Sequence, residues 1–77
     1  MKHYYVLRNR ETGKYYGVGD DEECSYTLKN AEVFNNRADA RCERMMDKRH
    51  PYTYTEDVVK ICIDEKGRPY KTIKVMR

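Results

Sequence analysis

Histidine, cysteine and clustered carboxylates are the residue types in this chain that could do chemistry, and their spacing forms no catalytic or metal-binding motif. The two histidines, His3 and His50, are far apart, and neither lies in a recognisable local motif with Ser or Cys. The cysteines are odd in number and widely spaced, which argues against a disulfide framework and against a zinc site; they are Cys24, Cys42 and Cys62. The sequence predicts a non-enzymatic protein without metal or cofactor, and leaves open a Cys–His pair assembled in space.

The acidic run at residues 20–23 raises the question of a divalent cation. Hard cations need oxygen ligands spaced so that they wrap one ion, as in the alternating pattern of an EF-hand loop, whereas consecutive acidic side chains diverge. We therefore expect a solvated loop, with contact to a basic surface or mimicry of nucleic-acid charge as the alternatives. Gly17-Val18-Gly19 is followed by acids and not by a Lys-bearing helix, so it does not form a phosphate-binding loop.

The strongest functional signal is a charge pattern within residues 36–49, which we predict to be a helix that Asn35 or Asn36 caps. At about 100° of rotation per residue, four basic residues share one stripe: Arg37, Arg41, Arg44 and Lys48. Each pair of like-charged helical neighbours lowers the stability of a helix by about 0.2–0.5 kcal/mol. We interpret the stripe as a contact face for an anionic partner. A solvated face with unpaired charge is the alternative.

Tyrosines interleaved with basic residues are the second signal. The chain has eight Tyr, one Phe and no Trp. Such surfaces can stack nucleic-acid bases, or can anchor a protein interface, where Tyr and Arg are enriched. Alternatively, tyrosine builds the local core. The aromatic candidates for partner binding are Tyr4, Tyr16, Tyr52 and Tyr54.

The composition limits the chain to one domain spanning residues 1–77. Charged residues make up 38% and apolar residues 39%, with a mean hydropathy of −1.08, so the core must be thin. The formal net charge is +3. Without an apolar signal region or a run long enough to span a membrane, we expect a soluble cytoplasmic protein with reduced thiols and no membrane partner.

The pattern of apolar residues and turn residues predicts an α+β fold. Residues 4–8 and 14–18 read as a first hairpin, residues 30–34 as a short third strand, and residues 55–63 and 70–76 as a second hairpin. We expect a single antiparallel sheet of four to five strands packed on one α-helix, in the order ββ(β)αββ. The predicted core comprises Leu7, Ala38, Cys42, Met45, Val59, Ile61 and Ile73.

Two sequence segments carry a resemblance to known proteins. Residues 4–16 contain a Tyr-rich hairpin with Thr12-Gly13-Lys14-Tyr15, and residues 28–40 contain an L-x-x-A-x-hydrophobic-F strand leading into a helix. Over about the first 45 residues the chain thus resembles small accessory proteins of tailed bacteriophages. That resemblance implies a non-enzymatic binder of host or defence proteins, including inhibitors of CRISPR effectors. A second similarity, to ββα DNA-binding domains of plants and phage integrases, implies nucleic-acid binding.

From these patterns we expect a phage-type binding protein that inhibits a host or defence protein, or a nucleoprotein, by stoichiometric occlusion. The basic stripe and its flanking tyrosines are the expected contact face. The alternative is direct nucleic-acid binding through the same basic residues. The oligomeric state and the identity of the partner are not encoded in any motif.

Overall fold

The centre of the fold is a three-stranded antiparallel sheet. The computed structural model describes residues 3–17 and 26–76, so the acidic run and Cys24 lie outside the described residues. The strands are β1 (Tyr4–Asn9), β2 (Glu56–Ile63) and β3 (Pro69–Val75), in the spatial order β1-β2-β3. A 3₁₀ turn (Leu28–Asn30) and one helix, α1 (Arg37–Glu43), complete the regular structure of this part of the chain. The α+β class is confirmed, with three strands here instead of four to five.

Both faces of the sheet are covered in part. The register places Val6 opposite Val59 and Leu7 opposite Val58, and alternation along the strands sends these two pairs to opposite faces. On the first face, Val6, Val59 and Ile61 pack with Ala31, next to the 3₁₀ turn. On the second face, Leu7 and Val58 pack beneath two residues from the chain before and within α1, Phe34 and Ala40.

Helix α1 begins as the sequence predicts and ends early. The side chain of Asn36 caps it, with Oδ1 accepting the backbone N–H of Asp39 at 2.8 Å. The helix stops at Glu43, since Arg44 has extended dihedrals (φ −66°, ψ 141°). The predicted helix over residues 36–49 is therefore wrong beyond Glu43.

Hydrogen bonds to the start of β2 and to the chain before it replace helical bonds after Glu43. The carboxylate of Glu56 accepts the backbone N–H of Met45 at 2.9 Å, and the carbonyl of Met45 accepts the N–H of Thr55 at 3.0 Å. Met46 also forms an antiparallel bridge with Tyr54. These contacts hold residues 45–47 in an extended conformation, which the helical periodicity of the local sequence did not indicate.

The shorter helix changes the core. Ala38 and Cys42 are exposed and Met45 is 39% exposed, so their predicted burial is wrong, whereas Ala40 is fully buried. Leu7, Val59 and Ile61 are buried as predicted. Only one residue of α1, Ala40, therefore enters the core.

The predicted first hairpin is irregular. Tyr15 pairs with Arg8 and with Tyr26 through single bridges, and Gly17 pairs singly with Ala31. Gly17 is buried against the ring of Tyr26, where an added Cβ would lie 2.2 Å from the ring carbon Cδ2. Residues 14–17 thus form no continuous strand. The predicted strand at residues 30–34 is likewise reduced to isolated bridges, and the long partner of β1 is β2.

The second predicted hairpin is confirmed. β2 and β3 are joined by a turn in which Oδ1 of Asp64 accepts the backbone N–H groups of Lys66 and Arg68, both at 2.9 Å. Gly67 supplies the positive φ of 80° that the turn requires. The bounds of both strands lie within one residue of the predicted bounds.

This turn gives a pH-dependent contribution to stability. The pKa of Asp64 lies below its usual value of 3.8, mainly because the backbone N–H of Arg68 donates to the carboxylate. When the pKa of a carboxyl group is lower in the folded state than in the unfolded state, its ionised form stabilises the fold at pH values above the unfolded-state pKa. This contribution is lost as the pH falls through the folded-state pKa.

We therefore expect the free energy of unfolding of the wild-type protein to fall more steeply below about pH 4 than that of Asp64→Asn, whose amide oxygen can accept the same bonds without titrating. Urea denaturation at a series of pH values measures this difference. Parallel pH curves for the two proteins would show that the carboxylate does not stabilise the turn.

Candidate partner-binding surface

Of the four basic residues assigned to one helical stripe, two lie on α1 and two lie beyond its end. Arg37 is the first residue of α1, and its Nη2 donates to the carbonyl of Met76 at 3.2 Å. Arg41 is exposed on α1, and Lys48 is exposed in the bend that follows. Arg44 has left the helix. The four residues therefore do not form one helical stripe, because the helix ends at Glu43.

Arg44 is used within the fold. Its guanidinium carbon lies 3.8 Å from the centroid of the Tyr54 ring, and its Nε is buried without a hydrogen-bond partner. The stack joins the end of α1 to the residues that precede β2. A side chain held in this way contributes to stability through cation–π attraction and contact with the ring.

We expect Arg44→Gln to lower the free energy of unfolding by about 1 kcal/mol, because the stack on Tyr54 is lost. The matched control is Arg41→Gln, which removes the same charge from an exposed position and should leave stability within about 0.5 kcal/mol of wild type. Urea denaturation of the two variants compares them. Equal stability of the two would indicate that the stack does not stabilise the fold.

The tyrosine candidates are also dispersed. Tyr16 packs on the Leu7 cluster, with its ring stacked on Phe34 at a centroid distance of 6.5 Å. Tyr4 packs against the Val6 cluster, and Tyr54 is half-buried beneath Arg44. Tyr52 is 97% exposed. Tyr4, Tyr16 and Tyr54 therefore build the fold, and Tyr52 alone of these four is free to make a large contact.

Ion pairs use further basic residues at the end of β1. Arg10 pairs with the buried carboxylate of Asp57 at 2.8 Å. Arg49 pairs with Glu11 and contacts Asp47 at 3.4 Å. The Arg10–Asp57 pair joins the turn after β1 to β2, and the Arg49–Glu11 pair joins the same turn to the chain before β2. Arg10 and Arg49 are therefore committed to contacts within the fold.

Three lysines form a second basic surface, which we call the lysine face: Lys60, Lys71 and Lys74. Lys60 lies opposite Lys74 in the register of β2 and β3, and Lys71 lies opposite Cys62. Residues directly opposite in an antiparallel pair share a face, and Lys60 and Cys62 are on the same face of β2. Within residues 3–17 and 26–76, none of the three makes an ion pair. Like charges directly opposite destabilise a sheet, so the Lys60–Lys74 pair is unfavourable for the fold by itself.

One irregularity in β3, at Ile73, produces the lysine face. Between Lys60 and Ile61, the partner in β3 advances from Lys74 to Thr72, which leaves Ile73 without a partner. A second shift, between Cys62 and Ile63, leaves Tyr70 without one. Strict alternation would place Lys71 and Lys74 on opposite faces, whereas the extra residue brings them to the same face.

The two unpaired residues are also the most exposed apolar side chains of the sheet. Ile73 is 53% exposed, which makes its predicted burial wrong, and Tyr70 is 62% exposed. They line an open groove of about 490 Å³ at the end of the sheet. The other lining residues come from the start of β1 and from β2: His3, Tyr4, Lys60, Ile61, Cys62 and Ile63.

The sequence contained part of the signal for this surface. The run Lys71-Thr72-Ile73-Lys74 carries two lysines and an isoleucine in a predicted strand, and Lys60 lies in the strand before it. What it did not contain was the register shift, because a bulge is set by how two strands pair. That Lys60 lies opposite Lys74 is seen only in the structure.

The part of the chain that the structure describes contains no candidate metal-binding group. No group of three or more His, Cys, Asp or Glu side chains there could hold a metal ion. His3 and Cys62 line the same groove, but no hydrogen bond joins them. Cys42 and Cys62 are free thiols.

Comparison with known proteins gives no assignment. No protein-family model matches the chain, and no curated protein or solved structure is significantly similar to it. Among residues 3–17 and 26–76, no helix has the length and apolarity needed to cross a membrane.

Proposed function

We propose that this chain is a non-enzymatic, phage-type binding protein that inhibits a host or defence protein, such as a CRISPR effector, by stoichiometric occlusion in the host cytoplasm. The contact face in this proposal is the lysine face with the exposed side chains of Tyr70 and Ile73. It replaces the helical stripe as the leading candidate, since Arg44 is committed to Tyr54.

The observation that carries the proposal is the Lys60–Lys74 pair, which has no ion-pair partner among the described residues and lies beside exposed apolar residues. Basic charge attracts an acidic partner and speeds its association, while exposed apolar and aromatic groups supply contact area. A standard interface buries about 800 Å² per partner, and the accessible surface of the chain is 5592 Å². A domain of this size can therefore block a partner's surface without catalysis.

Direct nucleic-acid binding is the second candidate. Three lysines on one sheet face could neutralise backbone phosphates, and an exposed Tyr70 could stack on a base. Its affinity should fall linearly in log–log form with salt, with a slope set by the number of phosphates neutralised. An apolar and aromatic protein contact should persist at high salt.

Affinity capture from a bacterial lysate, with and without nuclease treatment, tests the proposal. We expect one protein to be retained in a stoichiometric complex after nuclease treatment and a high-salt wash. Loss of every partner on nuclease treatment would favour nucleic-acid binding. Retention of the same protein by Lys74→Glu, at undiminished yield, would contradict the assignment of the contact face.

A further inference from the structure

The groove beside the lysine face is an apolar recess with basic residues at its margin. Its floor is β2, and the unpaired residues Tyr70 and Ile73 form part of its wall. We propose that it binds one apolar side chain of an acidic peptide segment, whose flanking carboxylates contact the lysine face. This inference rests on the proposed function and names the chemistry of the partner.

Helix α1 lies away from the groove, over the opposite end of the sheet face that carries Lys60 and Cys62. Ala40 and Phe34 pack on Leu7 and Val58, toward the start of β2. Lys60 and Cys62 lie further along β2 on the same face, and both line the groove. A recess of about 490 Å³ is within the size range of ligand pockets.

The exposed apolar side chains at the groove favour an apolar anchor. Tyr70 and Ile73 leave more than half of their surface in contact with water, on a strand whose two register shifts bring them there. Burying such surface against a partner's side chain is favourable. A purely ionic partner would leave this surface exposed.

The surrounding charge favours carboxylates on both sides of that anchor. Lys60 and Lys74 lie opposite each other, and Lys71 lies opposite Cys62, so positive charge flanks the groove along β3. Lysine stems can lie along an apolar side chain while the ammonium groups reach nearby acids. In the adjoining turn, the carboxylate of Asp64 accepts backbone N–H groups.

An acidic peptide fits these features better than a nucleic acid does. Single-stranded nucleic acids are held by successive aromatic platforms, and Tyr70 is the one aromatic side chain at this groove that is more than half exposed among the described residues. The remaining exposed apolar wall is the aliphatic Ile73, which is suited to an apolar side chain and not to stacking.

The test uses defined probes with the full chain. The first is a blocked octapeptide, Asp-Glu-Asp-Leu-Phe-Asp-Glu-Asp; the second has Ser-Ser in place of Leu-Phe; the third has amides in place of every acid. A twelve-nucleotide thymidine DNA strand is the fourth. Fluorescence anisotropy gives affinities, and amide chemical shifts of the ¹⁵N-labelled protein locate the site.

We expect the first peptide to bind at least about tenfold more tightly than either control peptide, with shifts at the amides of Cys62, Lys71 and Ile73. Ile73→Thr keeps a β-branched residue and should weaken binding about tenfold. The matched control is Met46→Thr, which truncates a half-exposed apolar side chain that does not line the groove and should bind normally.

Three results would overturn the inference. Equal binding of the Ser-Ser peptide would reject the apolar anchor, and the proposed function would still stand if lysate capture retained a protein partner. Tighter binding of the DNA strand would favour nucleic acid in place of a peptide. Failure of the first peptide to bind at about 1 mM would reject an acidic segment with this anchor as the ligand.

Discussion

Leu7→Ala is expected to lower the free energy of unfolding by about 2–5 kcal/mol, the range for truncating a buried leucine. Leu7 is fully buried in β1, where it packs with Phe34, Ala40 and Val58. The loss includes transfer of the side chain from water and the cavity that remains. Because the core is small, we expect a low free energy of unfolding for the wild type. The variant should therefore be largely unfolded near physiological temperature. Thermal melts followed by circular dichroism, together with urea denaturation, measure the change.

The matched control is Met45→Ala. Helical periodicity predicted this methionine to be a core residue, whereas the structure leaves it 39% exposed in the extended segment after α1. We expect a loss below about 1 kcal/mol. A loss for Met45→Ala as large as that for Leu7→Ala would mean that residues 44–49 pack on the core as a helix.

Lys74→Glu is expected to weaken partner binding while leaving the fold as stable as wild type or more stable. The substitution replaces a like-charged pair opposite Lys60 with an oppositely charged pair, which contributes about 0.2–1 kcal/mol to a sheet. The same change places a carboxylate against an acidic partner, so binding should weaken by about 2 kcal/mol or more, roughly 30-fold. Calorimetric titration with the captured partner gives the affinity, and urea denaturation gives the stability.

Lys14→Glu is the control for net charge. Lys14 is exposed in the turn after β1, away from the lysine face, and the substitution changes the total charge by the same amount. It should bind within about threefold of wild type at physiological salt, where distant charges are screened. Equal weakening by the two variants would mean that only overall charge steers the partner.

The parts of the fold that local residues determine were predictable from the sequence. The turn between β2 and β3 has its own acceptor in Asp64 and its own glycine with positive φ, and Asn36 caps α1 with its own side chain. Each interaction spans fewer than five residues, so the sequence pattern contains it. The coarse α+β class follows from these elements.

The end of α1 was not predictable in the same way. Glu56 accepts the N–H of Met45 from 11 residues away in sequence, so this N–H does not continue the helical hydrogen bonding past Glu43. Without this contact, the charge periodicity of residues 36–49 is compatible with a longer helix. The basic stripe was a consequence of that helix, so the candidate site inferred from the stripe changed with it.

The lysine face was hidden for a related reason. Its lysines are visible in the sequence, but their common face depends on the unpaired position at Ile73, which lies between Lys71 and Lys74. Strand alternation predicts the opposite arrangement for Lys71 and Lys74. Whether the remaining stripe residues, Arg37, Arg41 and Lys48, also bind a partner stays a prediction.

Amide chemical-shift mapping of the ¹⁵N-labelled wild-type protein, titrated with the captured partner, tests the central claim most directly. It reports on the lysine face and on the helix in one experiment without any substitution. We expect the largest shifts at Lys60, Cys62 and Lys71 and through Lys74, with small shifts at Arg41 and Lys48. Shifts confined to α1 and the residues that follow it, with β3 unperturbed, would contradict the assignment of the lysine face as the binding surface.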